Sequence, residues 1–539
     1  MDQRDETQAV DQKTHESVAK STALMSAATL ISRVTGLVRT WVMAFALGNT
    51  LVTSAYQVAN NMPNVVFDLV AGGLLGAAFI PVYLLEKEHK GEPGGNEFAC
   101  NLLNLTIVVL GTLTLLSSIF APQLIATQTF TMGEFDEVVT LSVAFFRIFA
   151  FQIVFYGISG ILTAVLNANR VYFLPAVAPA LNNVCVIVSF IAYIPLSGVN
   201  QELAIIVLGV GTTLGVAVQA IVQIPALLKS GFKYRFFIRL KDPALIEAMK
   251  IALPTMFYIV GTLVAFSCRN AFSLQIGDNG PSTLLYAWTW FQLPYGVVSV
   301  SLSRALFTEM GEASAKEDLP SLRELVNRGL SGNLLLIVPL TGLMIVLSTP
   351  IMQLFQAGAF GVSDVGYVAG ILAYWLFCLP FYAVLMFLYN VFASLRKFTR
   401  FAVVSCVMVI PQCILYALLC RWDTLWLAGV PAADFVYYAA CCAILLVVLY
   451  RMIGSFDMKS VLWTAIRVTI ATVIGSGVAF VLSILFDFGY GMIGGFFELV
   501  VCGSIGLVVT FGLCYAFRIP EMSLVSDLVG KVTRRFKRN

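Results

Sequence analysis

Residues 23–47 read ALMSAATLISRVTGLVRTWVMAFAL. A membrane-spanning helix needs roughly 20 mostly apolar residues, and this run is long enough. Yet Arg33 and Arg39 lie inside it. An arginine at the bilayer centre costs about 2.5–3.5 kcal/mol on insertion scales, so two of them call for partners that lipid does not supply. The run reads as one helix of a bundle whose interior is polar. It is not a cleaved secretory signal, whose apolar core is roughly 7–15 residues behind a basic start. Here the preceding residues, MDQRDETQAVDQKTHESVAK, carry both signs of charge.

The rest of the chain agrees. Of 539 residues, 59% are hydrophobic and only 12% are charged. A soluble domain runs near a quarter charged. About fourteen such apolar segments, this one included, can be marked along the sequence, which defines an all-α polytopic membrane protein. Their connections are too short to hide a soluble domain. Lys and Arg fall on alternate connections, in LEKEHKGEP, KSGFKYRFFIRLK, AKEDLPSLRELVNR, ASLRKFTR and KVTRRFKRN, whereas the other set carries only Arg421. The positive-inside rule then places both termini in the cytoplasm.

Catalytic chemistry finds no foothold. The two histidines, His15 and His89, sit in polar connections, and the 11 cysteines are scattered, mostly inside apolar runs. Such cysteines read as small packing residues. No Walker A, HExxH or GxSxG pattern occurs. The chain is therefore expected to be no enzyme and to need no cofactor. Any transport would run downhill, on the membrane potential, or on a monovalent cation gradient.

Two segments carry polar stripes. In the second, 53–85, Gln57, Asn60, Asn61, Asn64 and Asp68 recur at helical spacing around Pro63. In the eighth, 281–311, Thr289, Gln292, Gly296, Ser299 and Ser303 share a face around Pro294. Such stripes face a wet cavity or glue helices together, because lipid leaves their hydrogen bonds unmet. NMPNVV at Pro63 and QLPYGVV at Pro294 look like repeats, as do LNANRVYFLPAV at Arg170 and FASLRKFTRFAVV at Arg396, at a nearly constant offset. Two six-helix lobes of the same orientation would follow, with a site between them near the midplane. The expected organisation is a polar tail 1–20, an N-lobe 21–228, a C-lobe 229–450, two further helices within 451–517, and a basic amphipathic tail 518–539.

SRVTGLVRT, AYQVANNMPNVVFDLVAGGLLGAAFIPVY, GILTAVLNANRVYFLPAVAPALNN and LFQAGAF together resemble the MurJ/MviN family of lipid II flippases, within the multidrug/oligosaccharidyl-lipid/polysaccharide exporter superfamily. The pattern N-x-x-P-N…D-L-x-x-G-G is most similar to its actinobacterial members. The resemblance implies a fourteen-helix bundle around a central cavity in a bacterial cytoplasmic membrane. It implies transfer of the lipid-linked peptidoglycan precursor from the cytoplasmic to the outer leaflet by alternating access, with cell-wall synthesis proteins as possible partners and no nucleic acid. The last two helices would form a groove for the lipid tail. The family's cavity arginines match Arg33 and Arg39, and Arg147 matches an arginine often found on the fourth helix. Phe67, Asp68 and Thr289 stand where further arginines are expected, so Arg269 is a candidate substitute in holding the pyrophosphate. The polar lining would comprise Gln57, Asn60, Asn61, Asn64, Asp68, Thr289, Gln292 and Ser299.

Guanidinium binds a diphosphate bidentately. Arg33 and Arg39, six residues apart, stand about 9 Å apart along a helix and about 120° around it, at two depths of a broad cavity. The alternative is structural pairing to Asp68 or to helix-end carbonyls. Asp434 in the twelfth segment could serve ion coupling, a helix cap or a surface charge. Export of another lipid-linked glycan or of small molecules, and a non-transporting scaffold, are the competing functions. Cationic drugs would want acidic lining, and Asp68 stands alone in the stripes.

Overall fold

The computed structural model describes residues 28–69, 79–241 and 243–523, and every regular element among them is helical. The charged tail 1–20 and the amphipathic tail past residue 523 lie outside the described residues. The chain forms two compact units: residues up to Leu47 with Ala55–Val260, and Gly48–Ser54 with the chain from Gly261 onward.

The first unit holds α1 (Ala28–Leu47), most of α2 (Leu51–Phe67), α3 (Phe79–Ile119), α4 (Ala121–Ala126), α5 (Glu137–Phe149), α6 (Gln152–Ala168), α7 (Phe173–Ser197), α8 (Gln201–Ile221), α9 (Ile224–Lys229) and the start of α10 (Pro243–Ile276). α3 is two helices joined at Gly91 (φ 69°), so the basic connection expected at LEKEHKGEP is itself largely helical. Phe79, Tyr83, Phe98 and Leu102 of α3 pack on Ile161, Leu162 and Val165 of α6. α8 packs along α7 through small residues. A Cβ on Gly215 would come 3.0 Å from the Asn182 carbonyl oxygen, and one on Gly211 would come 3.2 Å from Ser189 Oγ. Without a hydrophobic drive between helices in lipid, such close backbone approach supplies the attraction. A hydrogen bond adds to it, Asn182 Nδ2 donating to Gln219 Oε1 at 3.2 Å, while Gln223, just past α8, donates its Nε2 to Ser159 Oγ of α6 at 2.9 Å.

The second unit holds the rest of α10, then α11 (Gly280–Pro294), α12 (Val300–Ala315), α13 (Leu319–Val346), α14 (Ser348–Gln353), α15 (Val362–Leu376), α16 (Leu379–Ser394), α17 (Phe398–Leu419), α18 (Gly429–Ile453), α19 (Met458–Leu485) and α20 (Met492–Ala516). Here α19 and α20 pair with each other and against α13. The turn 48–50 that leads into α2 is held by α11: Asn49 Nδ2 donates to Thr283 Oγ1 at 2.9 Å, and the Tyr286 hydroxyl donates to the Gly48 carbonyl at 2.9 Å. Gly48 has φ 66°, and a Cβ there would lie 2.5 Å from the Ala359 carbonyl oxygen, so only glycine fits.

Each unit contains the same bent element. α5 and α6 meet at 43°, and α15 and α16 at 53°. Each bent pair ends in an arginine with left-handed backbone, Arg170 (φ 61°) and Arg396 (φ 55°). The capping bonds match: Val171 N–H to the Leu166 carbonyl at 2.8 Å, and Lys397 N–H to the Phe392 carbonyl at 2.9 Å. This 6→1 bond is the Schellman cap, usually built on glycine. The repeat legible in LNANRVYF and FASLRKFT is thus a repeated helix-ending device.

Among the described residues ten helices are long and apolar enough to cross a membrane, or twelve if each bent pair is one span. The expected count of fourteen is not confirmed among the described residues. The two segments left out are the second and the eighth, those with polar stripes. α2 is described for 17 residues and passes into π-type winding at Asp68. The eighth breaks into α11, a π-type turn Tyr295–Ser299 after Pro294, and α12. At Pro294 the missing backbone donor and the wider winding split the eighth segment into short pieces; in the second, α2 continues through Pro63 and residues 70–78 lie outside the described residues.

Candidate polar transport faces

α1 runs unbroken through both arginines. Arg33 is exposed and Arg39 half-buried. Among the described residues the ion pairs are Lys87–Glu92, Lys90–Glu86, Arg239–Glu97 and Arg421–Asp423. Neither α1 arginine is in an ion pair, with Asp68 or any other described carboxylate. What fixes the helix beside them is Asn183 of α7, whose Nδ2 donates to Thr35 Oγ1 at 3.1 Å. A Cβ on Gly36 would meet Asn183 Nδ2 at an ordinary 3.6 Å, so sterics do not demand glycine there.

The α2 stripe is the open side of its helix. Gln57, Asn60, Asn61 and Asn64 are half-buried and Asp68 exposed, while Ala55, Val58, Ala59 and Met62 between them are buried. Asn60 Oδ1 and Asn61 Nδ2 have no hydrogen-bond partner. Interhelical glue would have paired them. Tyr156 of α6 lies within electrostatic reach of both Arg39 and Asp68, and its ring lies 6.0 Å from that of Phe67 at a tilt of 37°. Nothing in the apolar run QIVFYGISG signalled that placement.

In the second unit Thr289 is half-buried and spends its hydroxyl on the Leu285 carbonyl at 2.9 Å. Gln292 is exposed, and Ser299 is fully buried in the π-type turn with its Oγ unpartnered. Arg269 of α10 is set in rings: its guanidinium carbon lies 4.8 Å from the Phe266 centroid, 5.6 Å from Trp288 and 5.7 Å from Trp375. Beyond Trp375 is Asp434, 1% exposed. Its carboxylate accepts from Trp375 Nε1 at 2.9 Å, Gln412 Nε2 at 2.8 Å and the Tyr416 hydroxyl. Asp434 is therefore neither a helix cap nor a surface charge. Trp375, Gln412 and Tyr416 come from segments with no polar periodicity, so only the fold brings them together.

The family model described as Lipid II flippase MurJ matches residues 43–501. The chain belongs to the MurJ family. A probable MurJ of Rhizobium meliloti is 28% identical over 372 residues, 68% of either chain. One from Buchnera aphidicola is 27% identical over 349 residues, 65% of this chain and 67% of its own. A lipid II flippase MurJ from Burkholderia cenocepacia is 25% identical over 354 residues, 65% and 68% of the two chains. A solved MurJ in an inward closed conformation shares the fold, with TM-score 0.75 and 21% identity over 92% of this chain and 98% of that one. An inward-facing MATE-family multidrug transporter shares it more distantly, with TM-score 0.66 and 13% identity over 78% and 94%. MurJ membership makes this a multi-pass protein of the bacterial inner membrane.

Proposed function

We propose that this protein carries lipid II, the pyrophosphate-linked peptidoglycan precursor, from the cytoplasmic to the outer leaflet, with Arg33 and Arg39 receiving the diphosphate. One observation carries the assignment of roles. Two intramembrane guanidiniums on an unbroken helix have no carboxylate partner among the described residues, although the cost of burying them makes partners worth several kcal/mol. A diphosphate supplies the missing charge during transport. The unpaired Asn61 Nδ2 can donate to a phosphate oxygen of the same headgroup, and the unpaired Asn60 Oδ1 can accept from a sugar hydroxyl. Arg269 serves the carboxylate of Asp434 in this reading, and the phosphate role rests on α1. Both termini are cytoplasmic, by the distribution of Lys and Arg. The driving force is the membrane potential or a monovalent cation.

The test is lipid II binding by purified protein together with rescue of a strain depleted of its own flippase. A charge-assisted hydrogen bond contributes about 1.5–3 kcal/mol, so Arg33→Ala or Arg39→Ala is expected to weaken binding roughly ten- to a hundredfold and to abolish rescue. Unchanged binding by both variants removes the arginines from the mechanism. Failure of the well-expressed wild type to rescue removes the transport assignment itself.

A further inference from the structure

Residues 231–241, GFKYRFFIRLK, join α9 to α10 and are not helical. They lie along α3, held by side chains. Cys100 Sγ donates to the Lys233 carbonyl at 3.4 Å. Asn104 Nδ2 donates to the carbonyls of Arg235 and Phe237, both at 2.9 Å. Asn101 Nδ2 donates to the Arg239 carbonyl at 3.1 Å, while Arg239 N–H donates to Asn101 Oδ1 at 2.7 Å. Backbone bonds from every second residue toward one neighbour are the pattern of an extended strand. α3 therefore offers three side chains in place of a sheet edge.

An extended backbone sends alternate side chains to opposite faces. Lys233, Arg235, Arg239 and Lys241 alternate with Tyr234, Phe236, Ile238 and Leu240; Phe237 packs back on the α3–α6 core, and the Tyr234 hydroxyl donates to Asn104 Oδ1 at 2.7 Å. The apolar face is open: Phe236 is 73% exposed and Leu240 66%. On the basic face only Arg239 reaches a carboxylate, Glu97 at 3.6 Å, leaving Lys233, Arg235 and Lys241 outside any ion pair among the described residues. A cavity of about 570 Å³ lies beside the strap, lined by Glu86, Lys90, Glu97 and Phe98 of α3 and by Arg239 and Lys241. The strap follows the apolar span Gln201–Lys229 and precedes α10, whose apolar span begins at Thr255, so it belongs to the connection between two membrane crossings.

We infer that residues 233–241 are a docking strap for anionic phospholipid. The aromatic and aliphatic face enters the boundary between headgroups and acyl chains, as interfacial segments do. The basic face takes the lipid phosphates. Charge complementarity selects the occupant: a zwitterionic surface satisfies the apolar face but leaves the basic row without counterions, whereas an anionic leaflet attracts each lysine or arginine by about fivefold in affinity. The α3 clamp holds the row extended before lipid arrives, so little ordering entropy opposes binding.

The test is amide exchange of the full-length protein in nanodiscs of phosphatidylcholine alone and with phosphatidylglycerol added. Peptides covering 231–241 are expected to exchange at least fivefold more slowly with phosphatidylglycerol. In the variant Lys233→Gln/Arg235→Gln/Arg239→Gln/Lys241→Gln that difference disappears, while α7 and α13 peptides keep wild-type rates and report an intact fold. Phe236→Ser/Leu240→Ser speeds exchange in both lipids. Equal rates in the two discs for wild type, or a difference that persists in the quadruple variant, overturns the inference. So does protection of the strap by glycerol phosphate alone to the same extent, which would make it a soluble-anion site.

Discussion

Trp375 donates its indole N–H to the Asp434 carboxylate at 2.9 Å while its ring lies 5.7 Å from the Arg269 guanidinium. One side chain thus contacts both Arg269 and Asp434. Replacing Asp434 by Ala strands the Trp375, Gln412 and Tyr416 donors and leaves Arg269 without its countercharge. Breaking one side of a buried charge arrangement costs about 3–5 kcal/mol. Asp434→Ala is expected to lower the thermal unfolding midpoint of the purified protein markedly, and Asp434→Asn, which keeps an acceptor oxygen, to lower it less. Adding Arg269→Met to Asp434→Ala should recover part of the loss. No recovery would mean that the guanidinium does not feel the carboxylate.

Gly475 of α19 faces Thr510 of α20 so closely that an added Cβ would run into the Thr510 side chain and sit 2.8 Å from the Gly506 carbonyl oxygen. Gly477, two residues on, has open space around it. Gly475→Val is expected to destabilise by about 1–3 kcal/mol through overpacking. Gly477→Val, with the same change in propensity, should be close to neutral. Thermal unfolding of the two variants separates packing from propensity, and equal effects would deny that α19 and α20 meet at this glycine.

Asp318 precedes α13 and caps it: Ser321 N–H donates to Oδ1 at 3.2 Å and Ser321 Oγ to Oδ2 at 2.7 Å. The Ser321 hydroxyl first, then its backbone N–H, holds the Asp318 carboxyl below the usual aspartate range. A lowered folded-state value means that the cap's contribution is fully present above about pH 4, the ordinary aspartate value, and is lost as pH falls through the lowered one. Amide exchange in the first turn of α13 should accelerate below pH 4, after correction for intrinsic rates. Asp318→Ala should show the faster exchange at neutral pH and no such acid step. An acid step surviving in Asp318→Ala would assign it to another group.

Much of this architecture was legible in one dimension because lipid imposes one-dimensional rules. A span must be long and apolar, and a polar stripe such as Gln57–Asn60–Asn61–Asn64 must turn from lipid, whatever it packs against. The arginine pair at Arg33 and Arg39 was legible for the same reason. The helix ends at Arg170 and Arg396 were also visible, as similar short sequences, although only the backbone angles reveal the shared cap. The span count was not legible in the same way, since π-type winding after Pro294 and at Asp68 interrupts the segments that carry the polar groups.

Length, apolar runs, the placement of Lys and Arg and the α1 arginines were determined by the sequence itself, since each depends on a residue's own cost of leaving water. Tertiary structure alone decided that Arg269 rests among Phe266, Trp288 and Trp375 beside Asp434. It alone decided that Asn101 and Asn104 grip a distant basic segment, and that Asn183 steadies α1. Those partners are far apart along the chain and follow no period. Hydrogen bonds and ring contacts act over a few ångströms in space, and only packing brings such residues that close.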